Sequence, residues 1–144
     1  MFLVDKTVKT ALITGASQGI GAAIAVRLAK AGMNIAINCY NQQLADTDGA
    51  AVAEQCRAFG VEAKCYVADV SRFSQCQEMV KAVAEDFGSL DILVNNAGIT
   101  RDGLLPRMSE EQFDAVISVN LKSVFNMMRH ASGVMIRQKS GRII

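Results

Sequence analysis

Thr14-Gly15-Ala16-Ser17-Gln18-Gly19-Ile20-Gly21 is the stretch that decides the fold. A short apolar run, Ala11-Leu12-Ile13, leads into it and reads as a strand. A helical pattern leads out of it, with Ile20, Ile24 and Leu28 at i, i+4 and i+8 forming the expected apolar stripe. A strand, a glycine turn and a helix start together make an anion site. The unpaired N–H groups of the first turn and the positive end of the helix dipole point at one spot. The glycines then divide the work between a tight turn, close approach of a pyrophosphate and close helix–strand packing. Their spacing is Gly-x-x-x-Gly-x-Gly, not the commoner Gly-x-Gly-x-x-Gly, and taken alone it is weak evidence, since such a run is often only a turn. The flanking strand and helix turn the reading towards a dinucleotide. No Lys-Ser/Thr follows Gly21, which excludes a Walker A loop.

Composition narrows the rest. The chain has 144 residues, 51% of them hydrophobic and 20% charged, which suits one globular domain over 1–144 with a real core. A net charge of +1 leaves no field to draw nucleic acid or an anionic membrane. No apolar run approaches a bilayer span, and Met1 to Lys6 lacks the pattern of a signal peptide. A soluble, cytoplasmic protein is expected. Cys39, Cys56, Cys65 and Cys76 lack paired ligand spacing, and His130 is the only histidine. Buried thiols are therefore expected, not a metal site or a disulfide framework.

Strand and helix patterns alternate along the whole chain. The first helix is expected over 19–30, stopped by Gly32, and a second strand over 34–39. A polar loop over 40–48 precedes a second helix reaching about Phe59 and closed by Gly60. A third strand covers 61–67, and Ser71 is a candidate cap for a helix with the stripe Cys76, Met79, Val80, Val83, Phe87, closed by Gly88. A fourth strand covers 91–95. Ser109 with Gln112 forms a capping box for a long helix to about Gln138, ended by Gly141, and Arg142-Ile143-Ile144 opens a fifth strand. The class is α/β: a Rossmann-like, doubly wound parallel sheet. Its loops at 15–21, 69–70 and 96–98 are expected to meet beyond the carboxyl ends of the strands, at the switch point.

TGASQGIG at 14–21, Asp69-Val70, NNAG at 95–98 and Asn120 together resemble the short-chain dehydrogenase/reductase family. DILVNNAGITRDGLL from Asp91 and VNLKSVFN from Val119 are similar to its 3-oxoacyl-[acyl-carrier-protein] reductase and acetoacetyl-CoA reductase branch. The resemblance implies that Gly15, Gly19 and Gly21 shape the pyrophosphate turn, lined by Ser17, Gln18 and Ile20. It implies that Asp69 accepts from the adenine amino group beside the Val70 backbone. Asn96, Ala97 and Gly98 would pass along the ribose, while Asn95 braces the sheet. The residues themselves also allow Asp69 to be a turn or cap residue. Asn120 follows Phe113, Val116 and Ile117 at helical spacing, which places it on the expected inward stripe as a buried amide in need of partners. The resemblance makes it the catalytic Asn that holds a water for proton relay.

Cofactor choice turns on the end of the second strand, around Tyr40. An acid there would bind the ribose 2′-OH of NAD, and a base the NADP phosphate. Asn38-Cys39-Tyr40-Asn41 offers neither, and Gln18 stands where many relatives carry Arg. Absence of the acid favours NADP(H), with NAD(H) left open. The family's proton donor sits in a Tyr-x-x-x-Lys pattern after a fifth strand of this type. Here Tyr40 and Tyr66 are followed four residues on by Leu44 and Val70. The chain is thus expected to be the N-terminal portion of a reductase, inactive alone, whose parent acts on acyl thioesters on CoA or an acyl carrier protein in fatty-acid synthesis. That parent is expected to be a homo-oligomer, a tetramer by resemblance. The alternatives are a hydroxysteroid or sugar-alcohol dehydrogenase, a non-catalytic nucleotide-binding module, and a methyltransferase, which would want an acid ending the second strand.

Overall fold

The computed structural model describes residues 8–144, so the reading of Met1 to Lys6 lies outside them. Near-continuous apolar runs make strands buried on both faces, and here they form one parallel sheet in the order β3-β2-β1-β4-β5. The strands are β1 Thr10–Ile13, β2 Asn34–Cys39, β3 Ala63–Val67, β4 Ile92–Val94 and β5 Arg142–Ile143. β1 is central. Leu12 pairs with Ala36 on one side and Leu93 on the other, and every residue of β1 and β2 is buried. The expected third and fourth strands are each trimmed at their ends.

Helices cover both faces. One face carries α1 (Gly19–Lys30) and a continuous helix of α2 (Gln42–Leu44), a π turn (Ala45–Gly49) and α3 (Ala50–Arg57). The other carries α4 (Phe73–Phe87) and a second continuous helix: α5 (Glu110–Ile117), a π turn (Ser118–Lys122) and α6 (Ser123–Gln138). Strand alternation splits the core accordingly. Ala11, Ile13, Ile35 and Ile37 pack against Ala25, Ala29, Val52 and Ala53, whereas Leu12, Ala36 and Leu93 pack against Val80, Val83, Phe87 and Met127. No helix among the described residues is long and apolar enough to cross a membrane.

Several local expectations need correction. The buried stripe of α1 is Gly21, Ala25 and Ala29, not Ile20, Ile24 and Leu28. Small residues let this helix lie close on the sheet, while Ile24 and Leu28 flank the contact and Ile20 is 76% exposed. The expected polar loop at 40–48 is helix from Gln42 onward. Asn41 Oδ1 accepts from Leu44 N at 2.9 Å as its cap, and Gln42 Nε2 reaches Asp46 Oδ1 at 2.7 Å. Its polar residues face solvent, which disguised the helical period. α3 ends at Arg57, with Gly60 in the left-handed region at φ +82° after it.

Ser71 does not cap α4; its hydroxyl is spent on Asp69. The stripe Cys76, Met79, Val80, Val83, Phe87 is buried as expected, and Gly88 takes the left-handed cap at φ +78°. The Ser109–Gln112 capping box is present. At the far end Lys139, not Gly141, adopts the left-handed cap at φ +56°. Gly141 instead packs against the Met135 side chain, with no room for a Cβ.

The face of α5 and α6 also differs from expectation. Phe113 and Ile117 are 58% and 39% exposed, and Asn120 is exposed with them. The buried residues are Ser123, Asn126, Met127, Ala131 and Met135, laid against α4. The apolar residues over 113–125 therefore include an outward stripe that nothing among the described residues covers.

Leu93 is fully buried and Ile136 is 74% exposed. We expect Leu93→Ala to cost about 2–5 kcal/mol in urea unfolding, the range for a core leucine whose cavity cannot collapse. Ile136→Ala should stay within about 0.5 kcal/mol of the parent.

Candidate functional site

The strand order reverses between β1 and β4, and the loops leaving those two strands are bound to each other there. Thr14 N donates to Val94 O at 3.0 Å, carrying the ladder one residue beyond the strands. The Thr14 hydroxyl then accepts from Asn96 N and Ala97 N, each at 3.0 Å. In return Asn96 Nδ2 donates to Thr14 O at 2.9 Å and Gly15 O at 3.2 Å. A threonine and an asparagine thus hold the glycine turn and the 96–98 loop as one unit.

Asn38 does the same for the other side of the sheet. Its Oδ1 accepts from Gly15 N at 3.1 Å, and its carbonyl accepts from Ala16 N at 3.0 Å. Its Nδ2 donates to Ala68 O at 3.0 Å. This buried amide ties the ends of β1, β2 and β3 together. Gly15 and Ala16 consequently spend their amides on protein. The first turn of α1, beginning at Gly19, receives no side-chain cap from Gln18, so its N–H groups are those that helix geometry leaves without an intrahelical partner.

Each glycine can now be given its physical reason. Gly15 and Gly19 lie in the left-handed region at φ +62° and +60°. A Cβ at Gly15 would meet Ala97 Cα at 3.0 Å, whereas one at Gly19 would meet nothing within 4 Å. The space over Gly19 is open. A Cβ at Gly21 would lie 2.5 Å from Asn96 Nδ2 and 2.7 Å from Gly15 O, so Gly21 serves loop packing.

An open crevice of about 710 Å³ lies beyond these strand ends. Gly15, Ser17, Gln18, Gly19, Ile20, Tyr40, Asp69, Val70, Asn96, Ala97 and Gly98 all line it, as the sequence reading expected them to converge. Gly21 does not; it lies behind the turn. Asp69 is the only carboxylate of the lining and Arg101 the only cation. Asp69 Oδ1 accepts from Ser71 N at 3.0 Å and Ser71 Oγ at 2.6 Å, and Oδ2 lies 3.5 Å from Arg72 Nε. Its carboxylate is held in a turn, as the plainer reading of this residue had it.

Asn120 is corrected in its surroundings. It is exposed, yet both ends of its amide are used: Oδ1 accepts from Ile99 N at 2.8 Å and Nδ2 donates to Ile99 O at 2.9 Å. A π turn presents it to the crevice loop, a distortion common at functional positions. The buried amide of this helix is Asn126, whose Nδ2 donates to Val70 O at 3.0 Å. Asn95 behaves as expected, donating from N and Nδ2 to Ile144 O and holding β5 on the sheet.

Tyr66 is not suited to give up a proton in the crevice. Tyr66 donates to Asp86 Oδ2 at 2.7 Å, and burial first, then that carboxylate, push its hydroxyl above the usual tyrosine range. Tyr40 lines the crevice and is 65% exposed. His130 packs its ring against Phe73 at 4.3 Å, away from the crevice lining.

Residues 9–144 match the family model described as short chain dehydrogenase. The chain is 48% identical over 139 residues to the 3-oxoacyl-[acyl-carrier-protein] reductase FabG of Staphylococcus aureus Mu50, covering 96% of this chain and 55% of that protein. It is 45% identical to the 3-oxoacyl-[acyl-carrier-protein] reductase of Synechocystis, with 96% and 55% covered. Among solved structures, NAD+-bound xylitol dehydrogenase superposes with a TM-score of 0.86 at 34% identity, over 94% of this chain and 51% of that one. The chain spans about half the length of the curated relatives it matches.

Thr14→Val should cost about 1–3 kcal/mol in urea unfolding, because Asn96 N and Ala97 N lose their acceptor. Thr14→Ser should keep most of that stability.

Proposed function

The chain belongs to the short-chain dehydrogenase family, and from that premise we propose that it is the dinucleotide-binding part of an NADP(H)-dependent oxidoreductase. Its parent reduces 3-oxoacyl thioesters to 3-hydroxyacyl thioesters, in the cytoplasm, as a step of fatty-acid synthesis. The observation that carries the reading is the crevice at the reversal of strand order, with the open first turn of α1 on its wall. The space over Gly19, left clear at a left-handed turn, suits a diphosphate. The whole described chain serves as a single domain for this purpose.

The roles follow from where each residue stands. Gly15 and Gly19 give the turn its path, Gly21 lets the 96–98 loop close behind it, and Ser17, Gln18 and Ile20 form the lip. Asp69, fixed by Ser71, offers an acceptor for the adenine amino group beside Val70. Asn96, Ala97 and Gly98 form the wall for the ribose. Asn96 does so through its backbone, since its amide is committed to Thr14 and Gly15. Asn120 positions the loop at Ile99 and is our candidate for the amide of the proton relay. When bound, the nicotinamide supplies a hydride to the carbonyl carbon.

Preference for the phosphorylated cofactor rests on the end of β2. Asn38, Cys39, Tyr40 and Asn41 present no carboxylate to a 2′-OH and would not repel a 2′-phosphate. The 144 residues should not turn over substrate by themselves. Tyr66 is held by Asp86, and no lysine follows either tyrosine at the required spacing. Partners follow from the substrate class: an acyl thioester, carried by acyl carrier protein or CoA. We infer a homo-oligomeric parent, a tetramer, because Phe113, Leu121 and Phe125 form an apolar stripe that is 58–63% exposed. A sugar-alcohol dehydrogenase is the second reading, favoured by the xylitol dehydrogenase likeness.

Fluorescence titration of the chain with NADPH and NADH tests this. NADPH should bind, with NADH at least about tenfold weaker, a difference of about 1.4 kcal/mol. Gly19→Val should abolish binding through backbone strain at φ +60° while far-ultraviolet circular dichroism stays native. Equal affinity for both cofactors would overturn the NADP(H) preference, and no binding of either would overturn the dinucleotide reading. Oxidation of NADPH by the purified chain with acetoacetyl-CoA would overturn the expected inactivity.

A further inference from the structure

Cys39 and Cys65 are distant in sequence and adjacent in space. Across β2 and β3, Cys65 pairs with Ile37 and Cys39 with Val67, so the two cysteines are diagonal neighbours on one face of the sheet. Gly49, in the π turn above that face, locates both sulfurs. The point where a Cβ of residue 49 would lie is 2.6 Å from Cys39 Sγ and 3.1 Å from Cys65 Sγ. Two sulfurs that both reach one such point are close neighbours, and the glycine leaves no side chain between them.

The two thiols are unequal. Cys39 is fully buried, while Cys65 is only partly buried. The neighbouring Cys39 thiol favours the Cys65 thiolate, and the charge of Arg57 acts in the same direction against burial. The same neighbour, then burial, raises Cys39. A thiolate is the nucleophilic form of cysteine. Cys56 packs in the same layer, but burial pushes its thiol up. Cys76 lies on the other face of the sheet, with its sulfur 3.2 Å from Val70 O. Neither member of the pair lines the crevice.

We propose that Cys65 and Cys39 form an oxidant-sensitive dithiol, with Cys65 oxidised first by a hydroperoxide and Cys39 resolving it to a disulfide. The Cys65 thiolate attacks a peroxide oxygen. The S–O bond forms, the O–O bond breaks, and the leaving oxygen takes a proton from solvent to become water or an alcohol. The Cys39 sulfur then attacks the Cys65 sulfur. The S–S bond forms, the S–O bond breaks, and the hydroxyl departs as water with the Cys39 proton. Two thiols lose two electrons and one hydroperoxide gains them. Cys39 is the last residue of β2, so closing the bond draws in a strand end and leaves the middle of the sheet in place.

Peptide mapping tests the proposal on the 144-residue chain. The reduced protein is treated with one equivalent of hydrogen peroxide, its remaining thiols are alkylated, and it is digested with trypsin without reductant. The expected result is a peptide beginning at Cys65 cross-linked to the peptide that carries Cys39, released by dithiothreitol. Because Cys39 and Cys56 share that tryptic peptide, Cys56→Ser must retain the cross-link and Cys39→Ser must lose it. In Cys39→Ser given a second equivalent of peroxide, Cys65 should pass through sulfenic to sulfinic acid, with no partner to resolve it. Sulfinic acid at Cys65 of the unaltered chain without a cross-link, a Cys65–Cys56 bridge, or no oxidation of Cys65 would each overturn the proposal. Should a serine variant fail to fold, fragmentation of the cross-linked peptide from the unaltered chain decides between Cys39 and Cys56.

Discussion

The rest of the structure depends on how the strand ends are tied together at the reversal of the sheet. Parallel strands end with carbonyls and amides that the ladder no longer pairs, and a crevice cannot open there unless something else satisfies them. Thr14, Asn38 and Asn96 do so. One hydroxyl accepts two amides of the facing loop, and two side-chain amides bridge four strand ends. The loops are held by protein alone, so the crevice is formed before any ligand arrives. Such preorganisation removes the ordering cost that a flexible loop would charge against binding.

This constraint explains why the glycine turn is glycine-rich in the particular way it is. With Asn96 folded over Gly15, the first turn of α1 has room for hydrogen only at position 21. With Ala97 against Gly15, residue 15 must be both left-handed and small. The same closeness carries on down α1 through Ala25 and Ala29, which set the helix near the sheet. Of these three only Gly19 has nothing within 4 Å of where a Cβ would lie, and it lines the open crevice. Two of the three glycines therefore serve the protein's own packing, and the third leaves space for something else.

The second organising feature is the asymmetry of the helix over 110–138. Its later half is anchored to α4 through Met127, Ala131 and Met135, and Asn126 reaches Val70 at the crevice. Its earlier half turns an apolar face outward and is hydrogen-bonded to the crevice loop through Asn120. The π turn at 118–122 lies where one face gives way to the other. An extra residue per turn shifts the helical period, which carries the buried stripe off the line of Phe113, Ile117 and Leu121.

Sequence alone determined the order of strands and helices, the parallel sheet and the family, because these rest on patterns between near neighbours. An apolar run, a capping box at Ser109 and Gln112, and a stripe such as Cys76 to Phe87 all act within a few residues of themselves. It also determined which three loops would share a crevice, since right-handed crossovers leave them no other edge. Tertiary structure alone decided what lay between distant residues: that Asn38 and Thr14 hold the turn, that Asn120 is exposed yet bonded at both ends, and that Cys39 meets Cys65 across two strands. The reason is geometric. A hydrogen bond between residues 14 and 96, or a contact between sulfurs 39 and 65, depends on register and on the fit of packed layers, which no local periodicity records.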